Sequence, residues 1–277
     1  MSKNKEQIRD SIKGALYGFA IGDAMGATTE FMRQDKIKAK YGTVKDIVGG
    51  GWLNLEPGEV TDDTQMSMCI MDALMHSQGK RSFAEQVGAN FIEWYKSNPP
   101  DIGNQCRMGI ARLMAGEPLS SFECPTALGN GSLMRALPCA LVGNYDYNVI
   151  QGRLTHPSVK CAAVICRYTM LIDQLIEQGC SERLVSVGLE EPTGYIDHTY
   201  NNALHWAVHY NLEACIIGAV NHGGDADTIA AIAGSIAGAE YGFGSIPRRW
   251  IEQLKPEIKS KLDEFEKYVV KTRGIEK

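Results

Sequence analysis

The chain has eight cysteines but no C-x-x-C pair. They are scattered at positions 69, 106, 124, 139, 161, 166, 180 and 215, and Cys69, Cys139, Cys161 and Cys166 fall inside apolar helical patterns. That spacing disfavours a cysteine zinc site, and in a chain without a secretory leader it predicts reduced, mostly buried thiols. A basic excess is also missing: 28 Lys and Arg stand against 33 Asp and Glu, a formal charge of -5. Without that footprint nucleic acid is not an expected partner. No stretch approaches the ~20 consecutive apolar residues of a membrane span. The most apolar segment, Ile216 to Ala239, is interrupted by His222, Asp225 and Asp227. The first ten residues, MSKNKEQIRD, lack the apolar core and cleavage site of a signal peptide, so a cytoplasmic location without membrane contact is expected. Neither a fixed-period repeat nor a convincing linker is visible. The 277 residues, 44% of them hydrophobic, are therefore expected to form one domain spanning 1–277 with a sizeable core.

Helical periodicity dominates. Ile8, Ile12, Ala15, Leu16, Phe19 and Ala20 recur at three- and four-residue steps and predict a helix from about Glu6 to Ala24. Thr64 is placed as the cap of a second helix. Further helices are expected over Phe83–Trp94, Asn104–Met114, Leu133–Val142, Val159–Glu177, Thr199–His209, Leu212–Asn221, Thr228–Glu240 and Ile251–Val270. The best strand candidate, Thr43–Val48, is short, and strands do not alternate with helices, which excludes a doubly wound sheet. Glycines crowd two helices: Gly14, Gly18, Gly22 and Gly26, then Gly234 and Gly238 with Ala237. Because each glycine costs about 1 kcal/mol against alanine inside a helix, this spacing predicts closely packed backbones. The expected fold is all-α, a compact orthogonal multi-helix bundle.

Two acidic segments could carry chemistry. Thr61-Asp62-Asp63-Thr64 opens an apolar helix after the loop Glu56-Pro57-Gly58, and Gly223-Gly224-Asp225-Ala226-Asp227-Thr228 opens another. Either could be simple helix capping, since acids favour helix N-termini. Capping, however, needs neither a second acid nor paired glycines. Four carboxylates and two or three hydroxyls with no adjacent lysine or arginine would repel unless cations joined them. Such hard oxygen donors suit Mg²⁺, Mn²⁺ or Ca²⁺ rather than zinc, and four acids complement a pair of ions. Gly129-Asn130-Gly131-Ser132 precedes an apolar run and could present N–H groups to a diphosphate, or be a plain turn. Glu30, Asp101, Arg135 and His156 each have an ordinary reading as a solvated acid, a helix cap, a core ion pair and a loop histidine. Tyr195 and His198 could stack on a planar ring.

In order along the chain, GALYGFAIGDAMGATTEF (14–31), TDDT (61–64), DIGNQCR (101–107), GNGSLMRALP (129–138), His156-Pro157 and GGDADT (223–228) resemble the ADP-ribosylglycohydrolase family, including its dinitrogenase reductase-activating members. The resemblance implies an all-α fold with the metal site at its centre. It implies two Mg²⁺ or Mn²⁺ ions held by Thr61, Asp62, Asp63, Asp225, Asp227 and Thr228, with none of these ligands replaced. It also implies a catalytic or gating Glu30, an Asp101 beside the scissile bond of arginine-directed members, and ADP-ribose contacts from Asn130, Gly131, Ser132 and His156. Asp101 favours arginine, because a glycosylated guanidinium stays cationic and pairs with a carboxylate, whereas a serine ether does not. The expected reaction is hydrolysis of ADP-ribosyl-arginine on a protein by a monomer, releasing ADP-ribose. The alternatives are serine-linked, polymeric, nucleobase or small-molecule ADP-ribose as substrate, a non-catalytic ADP-ribose binder, and a phosphohydrolase cleaving the diphosphate.

Overall fold

A computed structural model describes residues 2–76, 81–121, 123–179 and 187–276. Among these, every regular element is helical: α1 (Lys5–Gly26), α2 (Gln34–Tyr41), α3 (Asp62–His76), α4 (Phe83–Lys96), α5 (Asn104–Met114), α6 (Leu137–Leu141), α7 (Tyr145–Arg153), α8 (Val159–Gln178), α9 (Ile196–His209), α10 (Leu212–His222), α11 (Ala226–Tyr241), α12 (Arg248–Gln253) and α13 (Pro256–Thr272). The all-α expectation holds. No described helix is long and apolar enough to cross a membrane.

The glycine spacing finds its cause in the pairing of α1 with α11. A Cβ added at Gly14 would lie 2.3 Å from the Gly238 carbonyl oxygen, one at Gly18 2.2 Å from that of Gly234, and one at Gly22 2.1 Å from that of Ala230. At the last step a Cβ on Gly26 would stand 2.4 Å from the Cα of Asp227. The helices therefore run antiparallel with their backbones touching every fourth residue, too close for any side chain between them. Every residue of α1 from Gly14 onward is buried, as is every residue of α11 up to Ala239. Helices α8, α9 and α10 pack on α11, α13 packs on α1, and α3, α4 and α5 follow one another along the opposite flank. The glycine file ends where Asp227 begins α11, so backbone packing fixes the position of an acid.

Several boundaries differ from the sequence expectation. Helix α3 begins at Asp62, so Thr64 lies inside it. The cap is Thr61, whose carbonyl receives the Gln65 N–H and whose hydroxyl receives the Asp63 N–H. Leu133–Val142 is helical only over Leu137–Leu141, because Pro138 has no N–H for the Met134 carbonyl and starts a new helix. Pro256 likewise divides Ile251–Val270, holding Lys255 at an extended ψ of 143° between α12 and α13. Thr43–Val48 forms no strand. Its Val44 and Ile47 N–H groups bond to the side chains of Asn221 and Gln253 instead of to a neighbouring strand. The helices α2 and α7 were not anticipated. Of α2 only Ile37 is buried, and α7 buries Asn148, Gln151 and Gly152, so neither shows an apolar stripe. All described cysteines are free, but Cys69, Cys124 and Cys166 are only partly buried, and Cys180 lies outside the described residues.

Candidate active site and metal centre

Three helix N-termini converge at the C-terminal end of α1. Asp62 and Asp63 occupy the first turn of α3, Asp225 and Asp227 open α11, and Asp101 precedes α5. Acids are favoured at such ends by the helix dipole. Yet capping does not account for them: Asp225 makes no side-chain cap bond, and the cap of α5 is Gly103 rather than Asp101. The Asp225 carboxylate turns instead to Asn130, whose amide donates to it at 2.5 Å and also to the Thr199 hydroxyl at 3.0 Å.

The carboxylates of Glu30, Asp225 and Asp227 offer oxygens all within 4.8 Å of one another. Asp63 joins this group through the Thr228 hydroxyl, which donates to it at 3.3 Å, and the Thr61 hydroxyl stands 3.5 Å from the same oxygen. Oδ1 of Asp63 and Oδ1 of Asp227 are buried without a hydrogen-bond partner. Asp62 and Asp101 line the cleft above them, with Glu30, Asn130, Gly131, His156 and Thr228. The cleft has a volume of about 230 Å³, enough for a sugar and its linkage but not for a whole dinucleotide-sized ligand.

The electrostatics are one-sided. Burial pushes Glu30 up to about 8 against the Trp52 hydrogen bond, and the charges of Asp225, Asp101 and Asp62 push the same way as burial. Asp62 rises to about 8 through burial and then the charges of Asp101 and Asp23. Asp225 rises to about 6 through burial, against the Asn130 bond. Asp63 and Asp227 are raised well above the usual range by burial and then by their neighbours, Asp63 chiefly by Asp227 and Asp227 chiefly by Glu30. Burial also raises Asp101, opposed by the Ile102 N–H and by Arg107. Among the described residues, no lysine or arginine lines the cleft. Like charges held together around orphaned oxygens are what a divalent cation relieves, so the residues present fit a hard-cation site.

Asp23 carries more of this site than its sequence setting signals. It is fully buried, and its carboxylate receives the Thr61 N–H at 3.0 Å, the Thr64 N–H at 3.0 Å and the Thr64 hydroxyl at 2.5 Å. It thus closes the N-terminus of α3 from α1 and orients Thr61 to Asp63. The available signal was that Asp23 is the only charged residue between Lys13 and Glu30, in a helix otherwise apolar and small. Trp52 was also overlooked: its indole N–H donates to the Glu30 carboxylate at 2.5 Å from a loop rich in glycine.

The remaining candidates separate. Arg135 is fully buried and forms no ion pair with an acid among the described residues. Its guanidinium donates to the carbonyls of Gly131 and Gln151, to the Thr155 hydroxyl and to Cys106 Sγ, and lies 4.7 Å from the centre of the Phe91 ring. It braces the Gly131 turn from behind. His156 lines the cleft with Nδ1 2.8 Å from the Thr155 hydroxyl. Burial and then Arg135 push its pKa down to about 3, which makes it a neutral ring. A Cβ at Gly131 would meet His156 at 2.7 Å and Cys106 at 2.8 Å, so this turn requires glycine. Ser132 is fully buried and outside the cleft lining. Tyr195 and His198 pack edge to face with centroids 5.0 Å apart, also outside the lining.

A sequence model described as ADP-ribosylglycohydrolase matches residues 4–275. The ADP-ribosyl-[dinitrogen reductase] glycohydrolase of Rhodospirillum rubrum is 36% identical over 277 residues, covering 92% of this chain and 94% of that protein. ADP-ribosylarginine hydrolase Tri1 of Pseudomonas putida (strain GB-1) is 33% identical over 287 residues, covering 90% of this chain and 75% of that one. A solved structure of an ADP-ribosylglycohydrolase-related protein complex superposes with a TM-score of 0.80 at 27% identity, over 98% of this chain and 99% of the other. With a family model over residues 4–275 and agreement in fold and over nearly the whole length, the chain belongs to the ADP-ribosylglycohydrolase family.

Proposed function

We propose that this chain, as one domain over residues 1–277, hydrolyses the N-glycosidic bond of ADP-ribosyl-arginine on proteins in a metal-dependent reaction, releasing ADP-ribose and restoring arginine. The observation that carries the metal dependence is the pair of orphaned, buried oxygens on Asp63 and Asp227 inside a cluster of acids. Asp62, Asp63, Asp225 and Asp227, with Thr61 and Thr228, would hold two Mg²⁺ or Mn²⁺ ions. When bound, such ions supply the positive charge that offsets these acids and oxygen-binding positions for the ribose hydroxyls.

The chain's own groups account for the rest. Water adds to C1 of the distal ribose, the C1–N bond breaks, and the guanidine leaves with the bonding electron pair and a proton. Glycoside cleavage of this kind is commonly flanked by two carboxylates. Glu30, buried beside Asp225 and Asp227, takes the proton from water. Asp101, half-buried at the mouth, receives the guanidinium through charge-assisted bonds. Asn130 and Gly131 bound the sugar, and His156, neutral, offers a polar edge without adding charge. Ser132, enclosed behind them, would act through the shape of its turn. The Asp101 position supports arginine over serine.

The test is to incubate the protein with an ADP-ribosyl-arginine protein and an ADP-ribosyl-serine peptide, each with and without Mg²⁺ or Mn²⁺. Free ADP-ribose and intact arginine, formed only with metal, is the expected result. Release from serine alone overturns the substrate assignment, and release of AMP would reveal a phosphohydrolase.

A further inference from the structure

Phe31 is the most exposed aromatic side chain near the cleft, at 68%, and its backbone has a φ of 60°, a region that bulky residues avoid. The surroundings hold it there. Its N–H donates to the Gly224 carbonyl at 2.7 Å, and the Gly224 N–H donates back to the Met32 carbonyl at 2.9 Å. The segment is thereby pinned to the loop that carries Asp225. An exposed ring maintained on an unfavourable backbone points to use rather than accident.

Two neighbours give that use a shape. The half-exposed Trp52 ring lies 5.5 Å from Phe31, centre to centre, while its indole N–H holds Glu30. On its other side Phe31 walls a second depression of about 530 Å³, shared with Gly224 and bounded by Glu191, Pro192 and Thr193. Phe31 is therefore the partition between the acidic cleft and a larger open hollow. The cleft, at about 230 Å³, holds a sugar and a linked side chain, and the polypeptide bearing that side chain has to leave across the rim.

We propose that Phe31, Trp52 and this hollow form the docking surface for the polypeptide segment flanking the modified residue, and that the surface selects basic flanks. This rests on the proposed protein-directed activity. Two exposed aromatic faces accept cations. The exposed Glu191 adds charge of the complementary sign. The Arg33 guanidinium on the same rim is paired with Asp35 at 3.2 Å.

The test compares wild type, Phe31→Ala, Phe31→Tyr and Glu191→Lys, with thermal melts to confirm folding. Glu191→Lys is expected to raise KM for an ADP-ribosylated protein about tenfold while leaving KM for free ADP-ribosyl-arginine unchanged, and Phe31→Tyr, which keeps the ring, is expected to retain the wild-type values. Equal changes on the two substrates overturn the proposal. Binding is also read without turnover, from the fluorescence anisotropy of a labelled, unmodified peptide with lysines around a central arginine. Weaker binding by Phe31→Ala and Glu191→Lys supports the surface. No binding by wild type, or equal binding of an acidic peptide of the same length, overturns it. A wild type that binds the basic peptide but hydrolyses neither ADP-ribosylated substrate removes the proposed activity and leaves the docking surface standing.

Discussion

The two ends of the α1–α11 pair are built to opposite rules. From Gly14 and Gly238 to Gly22 and Ala230 the helices meet backbone to backbone, with no charged side chain between them. One turn further on, Gly26 abuts Asp227, and Asp23, Asp62, Asp63, Asp225, Asp227 and Glu30 crowd into the same space. The first end gains stability from close packing. The second loses stability through buried like charge, which protonation or a ligand of opposite charge offsets. The packed end is what allows the strained end to persist, because it fixes the backbone of α11 where its first acids must stand.

The comparison breaks most completely at its acidic end. Asp227→Ala and Asp62→Ala are expected to lower kcat/KM by at least about 10³-fold with the helical circular-dichroism spectrum kept. Full activity in either variant would sink the metal scheme. At the packed end, Gly18→Leu forces a side chain against the Gly234 carbonyl. Overpacking against backbone should cost about 3 kcal/mol or more, read as a large fall in Tm or loss of soluble protein. The glycine contact is wrong if the variant melts like wild type.

Acidity sharpens the contrast. Glu30 and Asp62 are raised to about 8 and Asp225 to about 6 from an unfolded range near ~4, so between these limits the folded metal-free chain binds more protons than the unfolded one. The stability this confers is fully present below the unfolded values and is lost as pH rises through the folded ones. The Tm of the metal-free protein should therefore fall from pH 5 to pH 8, and Mg²⁺ or Mn²⁺ should restore it with release of protons, measurable by calorimetry in buffers of different ionisation enthalpy. A metal-free Tm that rises over this interval contradicts the electrostatic account. The smallest expected effect is that of Asp23→Asn, which keeps the size of the side chain but weakens its hold on Thr61 and Thr64. Metal affinity should drop about 10- to 100-fold, as for loss of an orienting partner.

Much of this was legible in the residues. The apolar steps of α1 placed that helix to within two residues at its C-terminal end, and Asn104–Met114 was located without error. Fourfold glycine spacing announced a close backbone contact, though not which helices made it. The two acidic segments stood out because paired acids and glycines exceed what a helix cap needs. Less was legible where a residue is buried for polar reasons: Asn148 and Gln151 face inward on α7 and leave no apolar stripe to read. Asp23 was hidden for a related reason, since a single acid in a helix does not say whether it faces solvent or the N-terminus of another helix.

By itself the sequence determined the helical class, since a period near 3.6 fits no other regular element, and it supplied the donor chemistry, since carboxylates and hydroxyls in pairs suit hard cations. Only the tertiary structure decided which acids meet. Asp63 and Thr228 are far apart along the chain and lie 3.3 Å apart in space because three helix N-termini converge on the end of α1. Burial, which depends on every neighbour at once, then raised the pKa of those acids and set Arg135 against the Gly131 carbonyl. Periodicity is local and survives in one dimension; desolvation and convergence exist only in three.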